Sequence, residues 1–372
     1  MAVQRFTALD VFRGMTICFM IIVNTPGNGL TTYSELQHAH WNGFTPTDLV
    51  FPSFLFAVGN ALSFVMPRWD NLPASTVVWK ILKRTLIIFL LGFLMYWFPF
   101  VKQVSGEWMM APLNQTRIFG VLQRIALAYG IAALLLYFFK PKLTVVIAVI
   151  LLLLYWVILL LYHYGDDPFS MEGNAGTLLD KWLLGNDHLY HGEGIPFDPE
   201  GLLGTMSAVG NVVGGFVVGS FIQRKGKTFE MLTKLLLAGA SLMAIAWAWN
   251  HCFPVNKKLW SGSFVCLTVG LDCIIISGII YIIDFLHKTR WTYFFEVMGR
   301  NPLFIYLLSE LGVTLLYVFT VRPKVSVYKW LYDTIYVHAG DYFGSLLFAV
   351  SVMLVCWLVG FWMDKKKIYV RV

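Results

Sequence analysis

Long apolar runs separated by short polar segments make up almost the whole chain. A helix needs about 20 apolar residues to cross the hydrocarbon core of a bilayer, and ten runs reach or approach that length. They predict spans at residues 8–23, 45–66, 84–100, 117–138, 143–162, 203–222, 235–253, 262–285, 301–320 and 343–363. The pattern therefore predicts an all-α polytopic membrane protein, with a single domain over residues 1–372.

The composition agrees with this fold class. Of the 372 residues 58% are hydrophobic and only 13% are charged, about half of the charged fraction of a soluble domain. The net charge of +7 does not indicate a nucleic-acid partner, because Lys and Arg in a membrane protein set its orientation. The five cysteines lie in or beside apolar runs without a CxxC pair, which predicts buried thiols and no metal.

The loops between the runs fall into a basic set and an acidic set. The basic set contains Arg68, Lys80, Lys83, Arg84, Lys140, Lys142, Arg224, Lys225, Lys227, Lys234, Lys288, Arg290 and the tail residues Lys365, Lys366, Lys367 and Arg371. The positive-inside rule places this set, and with it both termini, in the cytoplasm. The acidic segment 163–203 then lies outside. Arg13 interrupts the first run and no small-residue cleavage site follows it, so we expect a retained helix and not a removable signal peptide.

Glycines form two small-xxx-small pairs in the span at 203–222. Gly210 pairs with Gly214, and Gly215 pairs with Gly219. Such pairs allow another helix to approach closely, or leave a slot for a thin ligand. We expect close packing of another helix against these glycines, with a slot for a thin ligand as the alternative.

The polar stretch "HAHWNGFTPTDLVFPSFLF", residues 38–56, directly precedes an apolar run. Thr45, Pro46 and Asp48 have the spacing of a helix N-terminus with a capping box. The capping pattern does not account for His38 and His40, which we expect outside the membrane before the second span, and the residues alone do not distinguish the two. Asn24 ends the first span on the same side, where its amide could orient an imidazole or stabilise an oxyanion.

Other polar residues are open to two interpretations. Arg124 lies inside a span, where a buried arginine either pairs with an acid or contacts a ligand. His188, His191 and Glu193 are too few for a confident metal site, and we predict none. No P-loop, Rossmann glycine motif, HExxH or GxSxG is present in the sequence.

Several motifs resemble those of the heparan-α-glucosaminide N-acetyltransferase family, within the transmembrane acyltransferases. In order, they are "LDVFRG" (9–14), "IVNTPG" (22–27), "HAHWNGFTPTDLVFPSFLFAVGN" (38–60), "GVLQRIALAY" (120–129), "DHLYH" (187–191), "FDPEGLLGT" (197–205) and "GRNPLFIYLL" (299–308). The block from His38 and the "DPEGLLGT" motif are the most specific. The chain resembles a short bacterial-type member without the luminal domain of the animal enzymes, which leaves heparan sulfate itself in question as a substrate.

The resemblance implies transfer of an acetyl group from cytoplasmic acetyl-CoA to the amine of glucosamine, or of a terminal glucosamine in a larger sugar, across a bacterial inner membrane. The family's active-site histidine and asparagine fall on His38 and Asn24. It also implies a homodimer, which we expect, alongside contacts with membrane lipid.

We assign the remaining candidate residues by topology. The cations assigned to acetyl-CoA are Arg13, Lys83, Arg84 and, deeper, Arg124; the alternative for each of the first three is anchoring at the membrane surface. The residues assigned to the acceptor sugar are Trp41, Asn42, Asp48, Gln123, Asp198 and Glu200. Polar groups facing a cavity between helices serve transport equally well, so an amino-sugar transporter is the alternative function.

Overall fold

The computed structural model describes residues 6–104 and 107–370. Within these ranges the chain is mostly helical, as predicted. The α-helices are α1 Thr7–Asn24, α2 Val50–Val65, α3 Ala74–Trp97, α4 Val121–Phe138, α5 Pro141–Leu161, α6 Ala175–Leu184, α7 Thr205–Lys225, α8 Phe229–Trp249, α9 Gly262–Ile280, α10 Thr292–Arg300, α11 Pro302–Val318, α12 Val327–Leu331 and α13 Asp341–Lys365.

Two small antiparallel hairpins accompany the helices. Strands β1 (Val101–Val104) and β2 (Glu107–Met110) pair with Val101 opposite Met110. Strands β3 (Thr320–Arg322) and β4 (Val325–Ser326) pair with Arg322 opposite Val325. The first hairpin connects α3 to α4 and the second connects α11 to α12, so neither contributes a sheet to the core.

Each of the ten predicted spans coincides with a helix, but not every one of these helices is long and apolar enough to cross a membrane by itself. Among the described residues, eight segments are long and apolar enough to cross a membrane: Thr7–Asn24, Pro46–Arg68, Val121–Phe138, Pro141–Leu161, Thr205–Lys225, Phe229–Trp249, Gly262–Phe285 and Asp341–Lys365. Helices α10 and α11 would form a ninth span, broken by a bend of 81°. The tenth, α3, contains Lys80, Lys83 and Arg84 and is not among these segments. The chain is a multi-pass membrane protein.

Helices α2 and α7 pack closely at the centre of the molecule. A Cβ atom added to Gly59 of α2 would lie 1.8 Å from the carbonyl oxygen of Val212, and one added to Gly215 of α7 would lie 1.9 Å from that of Phe56. Only glycine allows the two backbones to approach this closely. The prediction of close packing by the α7 glycines is confirmed, and there is no slot at this contact.

The other glycine pair of α7 is also used inside the chain. Cβ atoms added to Gly210 and Gly214 would lie 3.0 and 2.9 Å from side-chain atoms of Val265 and Val269 of α9. Since both pairs of small residues already face helices of the same chain, they give no support to the predicted homodimer, which stays a prediction.

Candidate functional site

Two cavities formed by the described residues contain predicted site residues from several helices. The His38 cavity has a volume of about 340 Å³ and is lined by Met20, Val23, Asn24, His38, Thr47, Val50, Phe51, Tyr96, Arg117, Val121, Tyr190, Glu193, Pro199, Glu200, Lys257, Lys258, Tyr306 and Glu310. The arginine cavity has a volume of about 410 Å³ and is lined by Arg13, Phe54, Ala57, Val58, Ala61, Leu62, Val65, Arg84, Ile88, Leu122, Ile125, Arg300, Pro302, Leu303 and Val370.

The same five helices, α1, α2, α3, α4 and α11, contribute to both cavities. On α2, Phe51 lines the His38 cavity and Phe54 lines the arginine cavity, a separation of about 4.5 Å along a helix axis. On α4 the neighbouring residues Val121 and Leu122 line one cavity each. The cavities are therefore stacked end to end along the bundle, with about one helical turn between them.

His38 is held by a buried carboxylate. The Asp48 side chain lies behind it, is 1% exposed, and has Oδ1 2.7 Å from His38 Nδ1. A carboxylate only accepts hydrogen bonds, so Nδ1 carries the proton and Nε2 keeps a free electron pair. The other carboxylate oxygen accepts from the backbone nitrogens of Ala39 and Thr45 and from the Thr45 hydroxyl.

The predicted capping box is confirmed at this point. Thr45 and Asp48 form it at the start of the 3₁₀ turn Pro46–Leu49, which leads directly into α2. The capping contacts hold the Asp48 carboxylate in place, and this carboxylate in turn holds the imidazole of His38. The same carboxylate therefore caps the start of the helix and orients a candidate reactive group. Because Asp48 is fully buried and does not line the cavity, it reaches a ligand only through His38.

Lys257, from the segment between α8 and α9, lies against the imidazole of His38. Its Nζ atom is 2.9 Å from Nε2 and 3.1 Å from Nδ1. Because Nζ is almost equally far from the two ring nitrogens, it does not lie along the in-plane electron pair of Nε2, which stays available. The neighbouring Lys258 is differently engaged, with Nζ donating to Glu193 at 2.5 Å and to the His40 carbonyl at 2.9 Å.

Asn24 lines the same cavity as His38, as the sequence suggested, but its side chain is hydrogen-bonded to another residue. Its Nδ2 donates to Oε1 of Glu310 on α11 at 3.1 Å. The contact joins the end of α1 to the middle of α11 and leaves the Asn24 Oδ1 atom as an acceptor. An amide and a carboxylate therefore face the cavity together.

Arg117 organises a second polar group in the wall. Its guanidinium donates to both oxygens of Asp198, at 3.0 and 2.6 Å, and to Glu200 at 2.6 Å, and it stacks on the Tyr96 ring. Burial acts to raise the pKa of Glu200, but surrounding cations, Arg117 foremost, outweigh it and hold that pKa below its usual range. Glu200 lines the His38 cavity, whereas Asp198 is fully engaged behind it.

The three arginines of the other cavity differ in how they are neutralised. Arg13 pairs with Asp10, as an i, i+3 pair, and Arg300 pairs with Glu296 and Asp364. Arg84 stacks over the Tyr129 ring at 4.7 Å and forms no ion pair with any carboxylate of the described ranges. Each guanidinium also has a buried Nε without a hydrogen-bond partner there. Such a set of cations fits a polyanionic ligand.

Other predicted site residues lie away from both cavities. Trp41 donates through Nε1 to the Phe169 carbonyl at 3.1 Å, and Asn42 accepts from Asn256 at 3.1 Å. Lys83 is exposed beside Arg84 and does not line the arginine cavity. None of these side chains contacts either cavity directly.

Two deep polar residues of α4 also lie outside the cavities. Gln123 is fully buried against Gly92, and neither of its amide atoms has a hydrogen-bond partner within the described part of the chain. Arg124 donates to the Gly201 carbonyl at 2.9 Å and stacks on Trp260, so it braces the loop before α7 and does not line the arginine cavity.

Sequence reasoning missed several cavity residues, and three of them had a recognisable signal. Lys257 is a cation on the side where the loops are otherwise poor in Lys and Arg, and Glu310 is an acid within an apolar run. Arg300 lies two residues before Pro302, which starts a helix, and this places it at the bend between α10 and α11.

Comparison with known proteins gives consistent matches. A family model described as heparan-alpha-glucosaminide N-acetyltransferase, catalytic, matches residues 5–165. The heparan-alpha-glucosaminide N-acetyltransferase of Homo sapiens is 28% identical over 366 residues, covering 82% of this chain and 53% of the human protein. The Mus musculus protein of the same name is 28% identical over 368 residues, with coverage of 82% and 53%.

The chain thus spans about half the length of the curated relatives that it matches. The part covered by the family model contains Asn24, His38, Asp48 and Arg84, which lie in or directly behind the walls of the two cavities. Both comparisons confirm the resemblance to the heparan-alpha-glucosaminide N-acetyltransferase family that the sequence motifs indicated.

Proposed function

We propose that this chain is a transmembrane N-acetyltransferase. It moves the acetyl group of cytoplasmic acetyl-CoA to the amine of glucosamine, or of a terminal glucosamine in a larger sugar, on the extracytoplasmic side. The observation that carries the proposal is the end-to-end stacking of the two cavities, one with three arginines and the other with His38. A donor and an acceptor entering from opposite sides need such an arrangement.

The orientation follows from the charges at the ends of the helices. Arg13 and Arg84 lie toward the ends of α1 and α3 that adjoin the basic loops, while Asn24 and Tyr96 lie toward the opposite ends. By the positive-inside rule the arginine cavity opens to the cytoplasm, with both termini on that side. We place the protein in a bacterial inner membrane with the His38 cavity facing outward.

The arginine cavity is the proposed site of acetyl-CoA. Its guanidinium groups, with their unpartnered Nε atoms, supply hydrogen bonds to phosphate oxygens. The apolar face of α2, from Val65 to Phe54, then leads toward the His38 cavity, over a rise of about 16 Å. A thin acyl-pantetheine arm fits a passage of this shape better than a charged nucleotide does.

Arg84 is expected to contribute most to acetyl-CoA binding, because it has no carboxylate to neutralise it among the described residues. The change Arg84→Gln should raise the KM for acetyl-CoA by about tenfold, since a hydrogen bond to a charged group contributes roughly 1.5–3 kcal/mol. Steady-state kinetics on the purified protein measures it. Lys80→Gln, an exposed change on the same helix, is the matched control, and an equal effect from both would contradict the assignment.

His38 is the proposed catalytic group of the other cavity. Attack of an amine on a thioester carbonyl forms an ammonium that must lose a proton, and a neutral imidazole nitrogen accepts it. Nε2 has the required electron pair because Asp48 engages Nδ1. The same nitrogen would attack first in an acetyl-histidine route, so both routes use one atom. Asn24 is the proposed partner that orients the acceptor or donates to the oxyanion.

The acceptor amine is expected to bind near Glu310. An amino sugar enters as an ammonium with several hydroxyl groups. Glu200 and Glu193 already pair with Arg117 and Lys258, whereas Glu310 accepts from the Asn24 amide and has no ion pair within the described residues. The change Glu310→Gln should raise the KM for glucosamine by about tenfold, as one charge-assisted hydrogen bond is lost. Kinetics at varied sugar concentration measures it. Glu35→Gln, at an exposed position outside the cavity, should leave that KM unaltered.

The test of the proposed function is product formation by the purified protein. In detergent, acetyl-CoA and glucosamine should yield free CoA and N-acetylglucosamine in equal amounts. In sealed vesicles without acetyl-CoA, labelled glucosamine should not accumulate. Accumulation of unmodified sugar, with no acetylated product in detergent, would overturn the enzyme in favour of an amino-sugar transporter.

A further inference from the structure

The side chain of Lys257 places a primary amine beside His38, and the proposed acceptor sugar also reacts through a primary amine. Its Nζ atom lies 2.9 Å from Nε2, the nitrogen proposed to deprotonate the sugar amine. Lys257 also lines the cavity into which the acetyl group would be delivered. A primary amine of the protein therefore occupies the position in which a primary amine of the sugar would react.

The surroundings favour the nucleophilic form of this amine. Burial lowers the pKa of Lys257 below its usual range, although Glu200 and Asp48 act against that change. A lysine of lowered pKa carries more of the unprotonated amine that attacks a carbonyl. His38 stands beside it as a base, so no rearrangement of the cavity is required to activate it.

We propose that Lys257 is a self-acetylation site, modified when acetyl-CoA is present and the acceptor sugar is absent. The inference rests on the proposed acetyltransferase function. The Lys257 nitrogen forms an amide bond with the acetyl carbon while the carbon–sulfur bond of the thioester breaks. The amine loses its proton to His38 Nε2, which passes it to the departing thiolate, so that acetyl-lysine and CoA thiol are the products.

The modification would stop the enzyme from using sugar. Acetyl-lysine has no positive charge and no nucleophilic electron pair, and its bulk would stay beside His38 Nε2. The acceptor amine could then no longer reach the imidazole. The chain would in this way shut down when donor is plentiful and acceptor is lacking.

Lys258 provides an internal control one residue away. Its Nζ is held by Glu193 and by the His40 carbonyl, and no contact with the imidazole of His38 is present. Its Nζ hydrogens are directed at these two oxygen atoms. The two lysines share the same peptide and the same cavity, so their difference in acetylation reports the contact with His38.

The experiment is mass spectrometry of the full-length protein after incubation with acetyl-CoA alone. A protease that does not cleave at lysine keeps both residues in one fragment. We expect acetylation of Lys257 to exceed that of Lys258 by at least about tenfold, as expected for a group held beside the reacting atoms. Added glucosamine should suppress it, and His38→Ala should reduce it to the level of Lys258. Equal acetylation of the two lysines, or none, overturns the inference.

The outcome separates this inference from the proposed function. Sugar acetylation with an unmodified Lys257 retains the enzyme and removes the self-acetylation site, whereas the absence of both reactions removes both proposals. A second measurement uses Lys257→Arg, which keeps the charge and cannot form this product. Preincubation with acetyl-CoA should reduce the later rate of sugar acetylation for the wild type and not for the variant. Equal losses for the two proteins would contradict the assignment.

Discussion

Replacing His38 with alanine is expected to lower kcat for sugar acetylation by about 10²–10⁴-fold, the usual contribution of a general base. The variant loses the only imidazole that lines the cavity among the described residues, and with it Nε2 as proton acceptor or acetyl carrier. Steady-state kinetics with acetyl-CoA and glucosamine measures the effect. The loss should appear in kcat, because the cavity walls that bind the two substrates are retained.

His40→Ala is the matched control for this variant. His40 is two residues away and exposed, and its side chain does not line the cavity. Its backbone carbonyl accepts a hydrogen bond from Lys258, and alanine keeps this carbonyl. We expect a kcat close to that of the wild type. Normal turnover by His38→Ala, or similar losses in the two variants, would contradict the role given to His38.

The change Asp48→Asn is expected to have the second-largest effect, with kcat lowered by about 10²-fold or more through misorientation of His38. The Asp48 carboxylate accepts from Nδ1 of His38 through one oxygen and from three groups near Thr45 through the other. Asparagine has one acceptor oxygen, so it satisfies only one of these sets. Since Asp48 acts through His38 and does not touch the cavity, the KM values of both substrates should change little.

Thr45→Val separates the positioning of His38 from the capping of α2. The Thr45 hydroxyl oxygen lies 2.7 Å from the Gln37 carbonyl oxygen and 3.1 Å from Asp48 Oδ2, so its one hydrogen is shared between them, and it does not contact His38. Loss of a cap costs about 1 kcal/mol of stability, so the thermal midpoint should fall in both variants. Only Asp48→Asn should lose kcat. A parallel loss of kcat in Thr45→Val would assign the effect to helix stability.

The helices were predictable from the sequence because hydrophobic length is a strong constraint in a membrane. All ten predicted spans correspond to helices, including the start of α2 with its capping box. The bend between α10 and α11 was not predicted, since an Asn-Pro step in an apolar run is compatible with a straight span or a broken one. The α7 glycines indicated close packing but not which helices they face.

The candidate site was only partly predictable, because cavities depend on contacts between distant segments. His38 and Asn24 share a cavity as expected, and Arg13 and Arg84 share another. Sequence reasoning treated Asp48 as a capping residue or a sugar contact, whereas the carboxylate both caps the helix and holds His38. The positions of Lys257 and Glu310 beside Asn24 and His38 required the fold, since they lie more than 200 residues further along the chain.

The central claim is that donor and acceptor meet from opposite sides of the membrane. The most direct measurement uses sealed vesicles of known protein orientation, with acetyl-CoA on the side of the arginine cavity and labelled glucosamine on the other. We predict N-acetylglucosamine in the compartment that held the sugar and free CoA in the compartment that held acetyl-CoA. Product in the acetyl-CoA compartment, or reaction only when both substrates share that side, would contradict the claim.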